Sequence, residues 1–264
     1  MKKIIDVENP WGAPLHHIES CDSTMEEARL LEKDNAPTGS LVIADFQRCG
    51  RGRIKQRVWE GKNGESLLCT ILLRYHNFDE FPEAITLRCG LAIVKALESV
   101  NAHLAPGHVQ PVISIKWPND VMVNNKKISG ILTESDGKNI FIGIGINILQ
   151  NSFRDYPGAT SIMMEWGNNG EAPANIRPVL LEEILKALYY ELNDEKARCS
   201  WRSRLDQKLF MKNKDVLFIE GQADSGRKIQ GKLCGLSEQG GLLIVPENAD
   251  IPCECITGEL QYPK

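Results

Sequence analysis

"IFIGIGINI", residues 140–148, is the stretch on which the fold turns. Ile140, Ile142, Ile144, Ile146 and Ile148 alternate with Phe141, Gly143, Gly145 and Asn147. A period of two is that of a β-strand, whose successive side chains point to opposite faces. The isoleucines must therefore meet a core, and the other face carries Phe141, two bare glycines and Asn147. Glycine weakens a strand interior and often marks the close approach of a ligand or of another backbone. A helix or strand packed tightly on that face is the equally open alternative.

Working outward, Val112 to Lys116, Val121 to Val123 and Ile128 to Glu134 read as three short strands. Pro118-Asn119-Asp120 and Asn124-Asn125-Lys126 separate them and favour tight turns. Ser66 to Arg74 and Leu41 to Phe46 are further strands. Leu87, Leu91 and Val94 recur at helical spacing between Pro82 and Val100, with Pro82 suited to the first turn. Ser23-Thr24-Met25-Glu26 fits a capping box, in which the Ser23 oxygen and the Glu26 carboxylate satisfy orphan donors of a helix running to about Leu31. Leu181, Ile184, Leu185, Leu188 and Leu192 form another helical stripe after Pro178. From Val216 onward, short apolar runs alternate with glycine turns, as expected of a small all-β module. The boundary falls near Lys212 to Asp215, dividing the chain into 1–212 and 213–264.

The 264 residues are 42% hydrophobic and 25% charged, which suits a folded globular protein. A net charge of -4 gives no global field for nucleic acid or an anionic membrane, so cationic work must be local. The eight cysteines are scattered, and the Cys253/Cys255 spacing matches no common zinc or redox motif, so free thiols are expected. The start, MKKIIDVENPWG, lacks the apolar core of a leader, and no window reaches the ~18 apolar residues of a membrane span. A cytoplasmic location is expected.

One segment runs against this acidic background. QRCGRGRIKQRVW, Gln47 to Trp59, holds Arg48, Arg51, Arg53, Lys55 and Arg57 beside two glycines and contains no carboxylate. Glycines let backbone N–H groups line a concavity, and arginines offer forked donors matched to phosphate or carboxylate oxygens. The segment is neither a Walker A motif nor GxGxxG. A solvated basic loop is the plain alternative; a nucleic-acid patch is the poorer one, with Trp59 its lone aromatic. Lys127 stands beside a hairpin turn, three residues before Gly130, where its ammonium can reach over a ligand and meet a developing anion. Lys126 reads as solvated, and Lys116 as either a site cation or a surface one.

GRGR (50–53) followed by a tryptophan, KWPND (116–120), KISGIL (127–132) with a glutamate two residues later, and GIGIN (143–147) together resemble the biotin protein ligase family. DST (22–24), ATSI (159–162) and GEL (258–260) extend the likeness from about His16 to the C-terminus. The resemblance implies an α+β fold: a mixed β-sheet backed by helices, of the class II synthetase-like biotin/lipoate ligase type, over 1–212. An SH3-like β-barrel follows over 213–264. It implies an ATP-dependent ligase in which the biotin carboxylate attacks the α-phosphate of ATP, giving biotinyl-AMP and pyrophosphate with Mg²⁺ present. A lysine on the biotin carboxyl carrier domain of a biotin-dependent carboxylase then takes the acyl group.

Residue by residue, the resemblance gives Ser23, Thr24 and Gln47 to the biotin head group, and Gly50, Arg51, Gly52 and Arg53 to a loop that covers it. Lys127 matches the lysine on the biotin carboxylate and activated phosphate; Gly130, Gly143 and Gly145 form the floor. Lys116, Asn119 and Asn147 lie near the adenylate and Trp59 near the adenine. Lys127, Arg53 and Asp120 are the catalytic candidates, Asp120 as orienter of Lys127, as acceptor of the amine proton, or as a mere turn residue. No metal-ligand set is legible. A loop so rich in glycine and like charge is expected to be disordered when empty and to fold over the adenylate, excluding water. Two departures stand out: Met25 replaces an asparagine, and Ile54 to Val58 lengthens the loop before Trp59, leaving Arg57 as stand-in for a later arginine. Two ligand-handling rivals are a lipoate or octanoate ligase and a non-catalytic biotin binder. A biotin-sensing repressor is a third, disfavoured because the residues before Ser23 leave no room for a helix-turn-helix module. Homodimerisation is not readable.

Overall fold

In the computed structural model, which describes residues 3–4, 7–53, 59, 63–104, 111–167, 175–221 and 226–261, the alternating stretch lies inside an eight-stranded sheet. In chain order the elements are β1 (Lys3–Ile4), β2 (Leu15–Cys21), α1 (Thr24–Lys33), β3 (Leu41–Gln47), β4 (Ser66–Arg74) and α2 (Ile85–Leu104). Then come β5 (Ile113–Lys116), β6 (Asp120–Val123), β7 (Lys126–Ser135), β8 (Asn139–Asn147), α3 (Ile162–Trp166), α4 (Ile176–Asn193) and α5 (Glu195–Lys208). The sheet order is β1-β2-β3-β4-β8-β7-β6-β5. β2 and β3 are parallel and the other neighbours antiparallel, so the sheet is mixed.

The two faces of β8 meet different helices. Its isoleucines enter a core with Leu87, Leu91 and Leu97 of α2 and Ile184, Leu185 and Leu188 of α4. Phe141 joins the opposite layer, where Met25, Ala28 and Leu31 of α1 pack with Val42 and Leu72. Burying an isoleucine stabilises by about 1.5–3 kcal/mol, so the alternation decides which face takes the larger core. The β6–β7 hairpin turns at Asn124 and Asn125, both with positive φ (49° and 66°), the backbone that a two-residue turn between right-twisted strands requires.

Several elements differ from the sequence reading. Pro82 is not in the first turn of α2: Ala84, at φ 48°, takes a left-handed conformation and delays the helix to Ile85. Ser23 does cap α1, its Oγ accepting from Met25 N at 3.3 Å, but Glu26 is drawn off to an arginine described below rather than closing a capping box. α5 is a helix that the sequence reading did not include: it buries only Ala197, Trp201 and Leu205 among charged residues and so carries no broad apolar stripe. Its Arg204 pairs with the buried Glu191 of α4, Nη2 to Oε2 at 2.7 Å.

The C-terminal strands β9 (Asp215–Glu220), β10 (Arg227–Leu236), β11 (Leu242–Pro246), β12 (Cys253–Cys255) and β13 (Gly258–Gln261) form an antiparallel sheet of order β12-β11-β10-β9-β13. The large sheet reaches it through Trp117, whose Nε1 donates to Gly240 O at 2.9 Å and whose ring lies 5.7 Å from that of Phe218. All eight cysteines are free, and burial pushes the Cys69 and Cys89 thiols up to about 12, which keeps them protonated and inert. No helix among the described residues is long and apolar enough to cross a membrane.

Ile142 is fully buried on the larger-core face. Ile142→Ala should lower unfolding free energy by about 2–5 kcal/mol in urea titration, and an unchanged midpoint would show that this face is not what holds the sheet.

Candidate active site

Strand register builds the floor of the site. Residues paired across strands share a face, and one such row runs Ala44, Leu68, Gly145, Gly130, Asp120 and Lys116 across β3, β4, β8, β7, β6 and β5. Gly130 and Gly145 are direct partners, so the row has a gap two strands wide with no side chain in it. Asp120 and Lys116 close one end of that gap and Leu68 the other. Lys116 is buried, 8% exposed, which removes the reading of it as a surface cation.

A register slip delivers the lysine. Val121 pairs with Ser129 but Met122 pairs with Lys127, so Ile128 is an extra residue on β7. Strict alternation would put Lys127, three residues before Gly130, on the opposite face. The bulge turns it back, a recognised use of bulges beside functional sites. Its Nζ lies 2.7 Å from Asp120 Oδ1, an ion pair without the alignment of a hydrogen bond, and 3.2 Å from where a Gly130 Cβ would stand. The Lys127 backbone is clamped as well: its N donates to Gly158 O at 2.7 Å and its O accepts from Thr160 N at 2.8 Å. Asn147 holds the same segment, its Nδ2 donating to Thr160 O at 3.0 Å. Asn119 likewise spends its Nδ2 on Ile131 O at 2.9 Å, fastening the turn before β6 to β7.

The glycine gap is covered by the chain itself. A Cβ on Gly145 would lie 2.8–3.0 Å from three atoms of the Trp59 indole, and one on Gly130 3.2 Å from the same ring. Trp59 therefore lies flat on the shelf, its Nε1 buried and without a partner among the described residues. Gly50 supports it, since a Cβ there would stand 3.0 Å from Trp59 O and 3.1 Å from its Cβ. Gly143 differs: its Cβ position is 3.1 Å from the Met25 methyl of α1, so at this glycine close packing by a helix is what the structure shows.

Thr24 and Gln47 come together at the start of α1. Gln47 Oε1 accepts from Thr24 N at 2.7 Å and from Thr24 Oγ1 at 3.0 Å. Thr70, on β4 opposite Gly143, donates to Thr24 Oγ1 at 2.9 Å. The sequence reading missed Thr70, although a hydroxyl inside the apolar run Leu67 to Leu73 was a visible signal.

The arginines do not converge on the shelf. Arg48 Nε pairs with Asp22 Oδ1 at 2.7 Å, Arg51 pairs with Glu26 of α1, and Arg53 Nη2 donates to Gly258 O at 2.7 Å. The carboxylates missing from the segment are thus supplied from the start of α1. Arg57 and the rest of 54–58 lie outside the described residues, and with them the expectation about loop order.

The arrangement joins a flat shelf without side chains, an ammonium held beside it, a cationic glycine segment next to it and a hydrogen-bonding cluster at a helix start. Such a site suits a planar polar ligand with an anionic end. The chain matches the Biotin/lipoate A/B protein ligase family over residues 17–151. It is 35% identical over 180 residues to the bifunctional ligase/repressor BirA of Bacillus spizizenii, covering 64% of this chain and 52% of that one. It is 33% identical over 195 residues to the biotin--[acetyl-CoA-carboxylase] ligase of Paracoccus denitrificans, covering 70% and 71%. The chain thus spans about half the length of BirA. Among solved structures, the Aquifex aeolicus biotin protein ligase in complex with biotin and ATP superposes with TM-score 0.75 at 30% identity, covering 94% of this chain and 97% of that one. The chain belongs to the biotin/lipoate A/B protein ligase family.

Proposed function

We propose that this protein activates biotin with ATP as biotinyl-AMP and transfers the biotinyl group to a lysine of a biotin carboxyl carrier domain. The observation that carries the reading is the bulge at Ile128, which turns Lys127 onto the glycine shelf. Attack of a carboxylate on a phosphate brings two anions together, and the barrier falls when fixed cations cancel their repulsion. Lys127 is one such cation, with Lys116 at the closed end of the row. Arg51 and Arg53 are the others, released from Glu26 and the Gly258 carbonyl as the reactants enter. Both Arg51 and Glu26 are about half exposed, so exchanging that pair costs little. Trp59 leaves the shelf without breaking a hydrogen bond of its indole and yields its place to a flat substrate ring.

The biotin head group is assigned to Ser23, Thr24 and Gln47, with Gly50, Gly52, Gly130 and Gly145 lining its approach and Gly143 at the Met25 end. Asn119 and Asn147 then serve the adenylate by holding its walls in place, a role that their bonds to Ile131 and Thr160 support. Asp120 orients the Lys127 ammonium. No group of three His, Cys, Asp or Glu side chains placed to hold a metal occurs among the described residues. Mg²⁺ accordingly enters this reading as part of the ATP complex, held chiefly by phosphate oxygens, which is its usual mode. The division at 212/213, an SH3-like character for the C-terminal sheet and a cytoplasmic setting belong to the same proposal.

Purified protein should exchange pyrophosphate into ATP when biotin is present and not when lipoate replaces it; exchange driven by lipoate alone would assign the chain to lipoate chemistry instead. Lys127→Ala should cut that exchange by at least ~10²-fold while biotin affinity falls far less, and turnover at the wild-type rate would remove the lysine from the mechanism. Gly145→Val, which fills the shelf and must push the Trp59 indole aside, should cost ~10²-fold in exchange in protein that remains folded by circular dichroism. Full activity in that variant would place the substrate elsewhere.

A further inference from the structure

We infer that Thr70 is a positioning residue: by donating to Thr24 Oγ1, its hydroxyl holds the Thr24 hydroxyl on Gln47 Oε1, so that two bonds rather than one aim the carboxamide. Thr70 is fully buried in a strand where valine would fit the same volume and favour the same backbone. A buried hydroxyl without a partner costs about 1–3 kcal/mol, so its presence calls for a bond that matters.

The directions of the bonds can be worked out from chemistry. A backbone N–H only donates, so the atom 2.7 Å from Thr24 N must be the oxygen of the Gln47 amide and not its nitrogen. That oxygen takes a second bond from Thr24 Oγ1, which uses the one hydroxyl proton Thr24 has. Thr24 Oγ1 can then meet Thr70 only as an acceptor, and Thr70 must donate. The chain runs Thr70 to Thr24 to Gln47 in one direction. Its end also lies against the first N–H of α1, where the positive end of the helix dipole favours an oxygen over an amino group.

The consequence is at the other end of the amide. With Oε1 committed, Nε2 faces the glycine loop, 3.2 Å from where a Gly50 Cβ would be. The carboxamide therefore offers two donors beside the shelf. Thr70 itself is fully buried opposite Gly143, its Oγ1 3.6 Å from where a Gly143 Cβ would stand. Without its hydroxyl, Thr24 Oγ1 is freed to rotate off Gln47 Oε1, and the carboxamide is then held by Thr24 N alone.

In its kinetic form the inference rests on biotin being the ligand. Thr70→Val should raise the KM for biotin about tenfold, with kcat and the KM for ATP within about twofold of wild type, and Thr70→Ser should restore it. In the ligand-free, ¹⁵N-labelled protein, the Gln47 side-chain amide pair, assigned by its absence in Gln47→Leu, should shift or broaden in Thr70→Val and stay in place in Thr70→Ser. An unmoved amide pair, an unchanged KM for biotin, or a loss spread equally over biotin, ATP and kcat would each overturn the inference. Should the wild type not use biotin at all, the proposed function fails, and the amide measurement still decides the relay.

Discussion

The alternation of β8 is the constraint from which the rest follows. Its isoleucines can be buried on one face only, and a slip of a single residue would send them all to the other. With that face taken by α2 and α4, the glycines must lie on the side that α1 and the cationic segment share. The pairing of Gly145 with Gly130 then turns two small residues on separate strands into one continuous opening. Neither glycine alone would make a shelf. A large side chain at either would close it, since the indole already sits at contact distance from both.

The bulge on β7 converts that opening into a site with charge. An ammonium and a carboxylate near a protein surface attract by about 4 kcal/mol at 4 Å, less where water reaches them as it does at Lys127. The Asp120 contact therefore holds the lysine without locking it. On the proposed reaction an arriving anion competes for the same ammonium, and the aspartate keeps the lysine aimed along the floor in the meantime. Clamping of the Lys127 backbone by Gly158 and Thr160 restricts this adjustment to the side chain.

Much of this was legible in the residues. β4 begins and ends as the apolar run from Ser66 to Arg74 indicates, and the paired asparagines at 124 and 125 turn the hairpin as their tolerance of positive φ suggests. The resemblance to biotin protein ligases pointed to a mixed sheet with helices and to the residues around the shelf. What could not be read depends on distant partners. The bulge at Ile128 exists only as a mismatch between two paired strands, and neither strand shows it alone. Arg53 meets a carbonyl 205 residues away, and nothing near either position announces it. Glycine at 143 and at 145 looks the same in sequence, yet one lies under a helix methionine and the other under a tryptophan from the loop.

The dispersal of the arginines has its own logic. Cations gathered side by side would repel one another and lose hydration without an anion to compensate. Among the described residues, each arginine of the segment is held on a different partner: Asp22 for Arg48, Glu26 for Arg51, the Gly258 carbonyl for Arg53. The partners lie before α1, in its first turn and on β13, so the segment is tied to two parts of the molecule at once. Exposed pairs of this kind contribute little to stability, and a partner that contributes little is easily exchanged. On the proposed reaction, two anionic reactants give the cations a reason to converge. On that reading, the charge of this segment is held apart until there is something for it to neutralise.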